Sequence, residues 1–222
     1  MQLSENTINI LKNYATINPS LLVAPGNTLT TMSVSRNIFA KATVEETFPQ
    51  QFAIYELAKF LGIVSLFKDP ELNFDERQVR IISGRQSVNY TYADPSMIVA
   101  PDPNKEISFP ETAEIEFSIS QDELQRVVRA TGVLQLPEIA VIGNGHTITV
   151  TATNSKNPTA DVFSIEVGTT DKTFSMYFKV ENIIKLISNN YDVKINSRGI
   201  SKWSNEKLTY FVMTEASSNY SG

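Results

Sequence analysis

Tyr55-Glu56-Leu57-Ala58-Lys59-Phe60-Leu61-Gly62-Ile63-Val64-Ser65-Leu66-Phe67 decides how this chain is read, because its apolar stripe is written a second time. Leu57, Phe60, Leu61 and Val64 are matched by Val180, Ile183, Ile184 and Ile187, each 123 positions later. Spacings of three and four residues place each set on one face of a helix. A polar break, a short alternating run, a turn and another run follow both stripes. Arg77 and Arg198, like Val79 and Ile200, sit at matching points of these hairpins. The chain reads as one fold unit written twice.

Working outward, Ser4 is an N-cap candidate for a helix to Ala15 with Ile8, Leu11 and Ala15 as its stripe, and Asn18-Pro19 ends it. Strand-like runs follow at Leu21 to Val23, Leu29 to Val34 and Ile38 to Val44. Phe52-Ala53-Ile54 leads into the helix Tyr55 to Phe67. The runs Leu72 to Phe74, Val79 to Ile82 and Val88 to Tyr92 come next. Pro95, Pro101, Pro103 and Pro110 then mark an extended connector at about 94–110, with Lys105 and Glu106 among its charges. The expected domains are 1–108 and 109–222.

The second half repeats the order. After the strand Ile115 to Ile119, Ser120 and Glu123 have capping-box spacing before a helix carrying Leu124, Val127 and Val128. Strands are expected at Ile139 to Ile142 and Thr147 to Ala152, around the turn Gly143-Asn144-Gly145. More follow at Phe163 to Val167 and Phe174 to Phe178, then the helix Val180 to Ile187, then three closing strands ending at Leu208 to Met213. The tail Ser217 to Gly222 is expected to fray. Two helices per half among strands, without β-α-β alternation, indicate an α+β fold with mostly antiparallel sheet.

Composition narrows function less than order does. The 222 residues carry a net charge of −5 and no cysteine, which removes disulfides and thiolate chemistry. The N-terminus does not read as a signal peptide, and no apolar run is long enough to span a membrane. The lone histidine, His146, reads as a surface turn residue and not a catalyst. Asp69, Glu71, Asp75 and Glu76 surround a hairpin turn, where a solvated loop competes with a magnesium site. No catalytic residue, metal or cofactor is expected.

The repeat resembles the DNA sliding clamp, and the nearest likeness is the processivity clamp of T-even-type bacteriophages. Gln2 to Asn18, Tyr55 to Leu61, and Leu134-Gln135 before Ile139-Ala140-Val141 carry it. The resemblance implies a duplicated clamp domain and a homotrimeric, head-to-tail ring whose helices line a hole for double-stranded DNA, bound without regard to sequence. It implies an ATP-driven clamp loader, the replicative DNA polymerase as a tethered partner, and late-transcription factors as further partners, in the host cytoplasm and without a membrane.

On that basis Lys12, Lys59, Arg126, Arg129 and Lys185 are the expected DNA-facing residues, with Asn9, Asn13, Gln125 and Asn182 as polar neighbours. Their helices and flanks sum to only about +1, and each base alone is also explained as a solvated helix face. Met97, Ile98 and Val99, with Tyr210, Phe211 and Val212, are the expected walls of a partner groove; core packing competes for the last three. The rival readings are a magnesium-dependent nucleic-acid enzyme and a structural or virion assembly protein.

Overall fold

The computed structural model describes residues 1–102 and 109–221. Pro103, Lys105 and Glu106 of the connector, the expected domain end at 108, and Gly222 lie outside the described residues. The chain divides into two compact units, Met1–Ile107 and Ser108–Gly222.

In the first unit, α1 (Glu5–Ile17) starts at Ser4, whose hydroxyl accepts from the Thr7 N–H at 3.2 Å. Its inner face is Thr7, Ile10, Leu11, Tyr14 and Ile17; Ile8 and Ala15 are only half-buried, so the face is turned from the expected one. The reason lies outside the helix: Thr7 donates to the Glu46 carboxylate and Tyr14 to the Leu29 carbonyl, which rolls the polar Thr7 inward. α1 packs on β2 (Gly26–Met32), on β3 (Ile38–Phe48) and on α2 (Leu57–Val64). Antiparallel pairs join β1 (Leu21–Val23) to β4 (Phe52–Ile54), and β2 to β3. β5 (Glu71–Phe74), β6 (Gln78–Ser83) and β7 (Gln86–Thr91) form a meander. Leu57, Phe60 and Val64 of the first stripe are buried while Leu61 is only half-buried, and α2 is shorter than the expected Tyr55 to Phe67; Phe48, Phe52, Phe74 and Tyr92 interlock with centroids 5.2–6.2 Å apart.

In the second unit, α3 (Gln121–Val133) carries the expected capping box. Glu123 accepts from the Ser120 N–H at 2.8 Å, while Ser120 Oγ accepts from the Glu123 N–H. β8 (Ile115–Ile119), β13 (Tyr191–Asn196), β14 (Ile200–Ser204) and β15 (Leu208–Met213) run in the order 8-13-14-15. β9 (Glu138–Asn144), β10 (Thr147–Thr153), β11 (Phe163–Thr169), β12 (Thr173–Lys179) and β16 (Asn219–Tyr220) run in the order 11-10-9-12-16. Trp203 is fully buried, edge-on to Phe117, Phe178 and Tyr191, and its Nε1 donates to Ser201 Oγ at 2.9 Å.

Two expectations fail here. The helix from Val180 to Ile187 is a single turn, α4 (Val180–Ile183). Two buried tyrosines take the backbone of Ile187 out of a helix: its N–H donates to Tyr210 Oη, and its carbonyl accepts from Tyr191 Oη. The buried set becomes Asn182, Ile183 and Leu186, leaving Ile184 55% exposed, so the second stripe is only partly a core face. The tail does not fray throughout: β16 pairs with β12, Ser218 Oγ accepts from the Tyr177 N–H, and Tyr220 stacks on Phe174.

Candidate nucleic-acid interface

The helices present their outer faces differently in the two units. Lys12 on α1 and Lys59 on α2 are exposed and carried by neighbouring helices. Lys59 Nζ lies 3.4 Å from Glu56, which offsets much of its charge. Arg126 and Arg129 are exposed one turn apart on α3. Arg126 lies by Glu123, whose carboxyl is held below its usual range first by the Ser120 hydroxyl and backbone N–H and, less, by Arg126. Lys185 is half-buried in the turn after α4. Lys179, ahead of α4, stands 4.0 Å from both Glu181 and Glu215.

Arg129 differs from these. Its Nη2 donates to Gln125 Oε1 at 3.1 Å, and Gln125 Nε2 donates to Ser188 Oγ. That tie crosses a groove of about 190 Å³ between α3 and the segment after α4, walled by Leu124, Val128, Ile183 and Leu186. Asn182, expected on the polar outer face, is buried, because the single turn of α4 rotates it inward. Asn9 remains exposed and Asn13 half-exposed.

The partner residues separate as well. Met97, the last residue of a 3-10 turn capped by Asp94, is 61% exposed, and Val99 beyond it is 40% exposed. Asn18 holds this segment by donating to the carbonyls of Val99 and Met32, both at 2.8 Å, a bridge that the sequence showed only as a helix stop. Tyr210, Phe211 and Val212 are buried, and Tyr210 serves the core through Ile187 and its contact with Tyr191. Burial is the largest influence on the Tyr210 hydroxyl and raises its pKa; the bond from Ile187 opposes it. Tyr210 and Val212 are wholly inaccessible core residues, which removes them as groove walls, while Phe211 on the other face of the strand keeps 9% exposure. His146 is exposed in its turn, its N–H bonded to Asn144. Among the described residues no three His, Cys, Asp or Glu side chains are grouped to hold a metal, the acids from Asp69 to Glu76 included.

Each unit sets two helices against antiparallel strands, and the order of elements repeats; this is the DNA-clamp fold. Residues 4–100 match the family described as DNA polymerase processivity factor, and residues 116–216 that described as gp45 sliding clamp, C terminal. The chain is 32% identical to the sliding clamp of Vibrio phage KVP40, over 97% of this chain and all of that one. It is 31% identical to the sliding clamp of Enterobacteria phage T4, over 99% of each. A solved structure of A. fulgidus PCNA bound to the C-terminal region of FEN-1 superposes with a TM-score of 0.70 at 13% identity, covering 99% of this chain and 100% of that one. The chain belongs to the sliding-clamp family of DNA polymerase processivity factors found in these phages.

Proposed function

We propose that this chain closes head to tail with two further copies into a ring that encircles duplex DNA, reads no sequence, and lends its hold to the replicative polymerase. The observation that carries the ring is a pair of unlike strand edges. Among the described residues, β7 pairs only with β6, and β11 only with β10. β7 bears no charged side chain, so it lacks a common device that blunts an exposed edge. The opposite edge of its meander is covered: the Met1 ammonium donates to the Leu72 carbonyl at 3.0 Å, and Leu72 N–H donates back at 2.7 Å. Two different edges on one chain favour a heterologous contact, which closes only if the rotations sum to a full turn. Two units per chain in three copies suit that closure.

The exposed bases support the rest of the reading. Phosphate contact without base-edge donors gives salt-dependent, sequence-independent binding. A weakly positive lining suits a protein that must slide. Such a ring works by topology and needs neither catalytic group nor cofactor; an ATP-driven loader would open it. Met97, Ile98 and Val99 are the proposed seat of a partner peptide, from the polymerase or from late-transcription factors. The proposed site of action is the host cytoplasm. Among the described residues no helix is long and apolar enough to cross a membrane.

Light scattering across a concentration series tests the ring. The expected mass is three chains; a monomer at high concentration would refute it. Product length on primed DNA with a cognate loader and polymerase tests the tether, and no gain over polymerase alone would sink it.

A further inference from the structure

We propose that Gln125 is a positioning residue that aims Arg129 at the DNA backbone, making Arg129 the principal phosphate contact of the second unit. The inference rests on the reading that these helix faces meet DNA.

The geometry has three parts. Gln125 sits one turn before Arg129 on α3, and its Oε1 accepts from Arg129 Nη2 at 3.1 Å. Its Nε2 donates to Ser188 Oγ, so the amide is anchored at its far end on a separate segment. The direction of the amide is fixed by chemistry: a guanidinium only donates, so the carbonyl oxygen must face it and the NH2 must face Ser188.

The charge of the tether decides what it does. A carboxylate that holds a base also cancels it, as Glu56 does for Lys59 and as Glu181 and Glu215 do for Lys179. Gln125 holds Arg129 with no charge at all. A long side chain is ordered before DNA arrives, so less rotamer freedom is lost on binding, and the full positive charge is kept. The hydrogen bond takes one of five guanidinium donors and leaves the planar fork able to engage a phosphate oxygen. The tie crosses from α3 to the segment beyond α4, so it also fixes where the side chain leaves the helix.

A double-mutant cycle tests this. Full-length protein with Gln125→Leu, Arg129→Ala or both is titrated against a blunt linear duplex, onto which a ring can thread without a loader. Fluorescence anisotropy is read from low to physiological salt. Arg129→Ala is expected to weaken low-salt binding about three- to tenfold and to lower the salt-dependence slope by about one for each phosphate that Arg129 neutralises. Gln125→Leu is expected to move affinity and slope in the same direction by a smaller amount, and the double variant to match Arg129→Ala alone. Ser188→Ala, which removes only the anchor, should reproduce part of the Gln125→Leu effect. Wild-type binding by Arg129→Ala would overturn the helix-face reading and this inference with it. If Arg129→Ala weakens binding but Gln125→Leu does not, or if the two effects add, the positioning role falls and the face reading stands. A lowered melting temperature in Gln125→Leu with an unchanged salt slope would mark Gln125 as structural only, and would equally overturn it.

Discussion

Replacing Glu46 by alanine should destabilise the first unit by about 2 kcal/mol and remove part of its sensitivity to acid. Glu46 closes the start of α1 from β3: its carboxylate accepts from the Ser4 N–H and the Thr7 hydroxyl, while Ser4 Oγ accepts from the Thr7 N–H at 3.2 Å. Hydrogen bonds to a charged group contribute about 1.5–3 kcal/mol each, and a negative charge at a helix N-terminus about 0.3–1 kcal/mol more. Glu46 is only half-buried, water replaces part of both bonds after the substitution, and Ser4 still caps the helix, so the net loss falls below the sum of these contributions, to about 2 kcal/mol. At about 4–8 °C per kcal/mol for a unit of this size, the midpoint should fall by about 8 °C or more. Burial, the largest influence, would raise the Glu46 pKa, but the bonds from Thr7 and Ser4 outweigh it and hold the carboxyl below its usual range. A depressed folded pKa gives stability that is complete above the unfolded value and is lost as pH falls through the folded one. Calorimetric melts of wild type and Glu46→Ala at neutral pH, then stepwise into acid, should show a gap that narrows below about pH 4. A neutral-pH gap under about 1 °C, or one that widens on acidification, would refute the reasoning.

Three other outcomes follow from the same geometry. Ser120→Ala, which breaks the capping box of α3, should cost about 1 kcal/mol in chemical denaturation. Gly143→Ala should cost about 1–3 kcal/mol, because a Cβ there would stand 2.4 Å from Cε1 of Phe174; trimming the ring with Phe174→Leu in the same background should recover part of the loss. Reversing charge at Arg126, Arg129 and Lys185 together should leave the protein folded and weaken binding to linear duplex DNA most at low salt; unaltered binding would place the DNA surface elsewhere.

What the sequence showed in advance is what local chemistry dictates. Ser4 and Ser120 are legible as caps because their partners lie three residues away, and Leu57, Phe60 and Val64 because a full-length stripe must bury. Hidden features depend on residues remote in the chain. Glu46 reaches Ser4 and Thr7 from β3, Asn18 reaches Val99, and both are ordinary polar letters until the fold brings their partners close. The second stripe misleads because its spacing is helical while Tyr191 and Tyr210, from β13 and β15, claim the backbone of Ile187. Three consecutive apolar residues at Tyr210 to Val212 are equally good letters for a groove or a core; only burial decides. The bases were visible as a set, but that Lys59 is matched by a carboxylate and Arg129 by an amide is a fact of side-chain geometry.

The proposed hold on DNA comes from a closed ring and not from local affinity. It is tested most directly by loading labelled protein onto a nicked circular duplex, washing at salt high enough to screen phosphate contacts, and then cutting the circle once. The protein should survive the wash on the intact circle and be released on linearisation as it slides off the ends. Release from the uncut circle at the same rate as from the cut one would contradict the account.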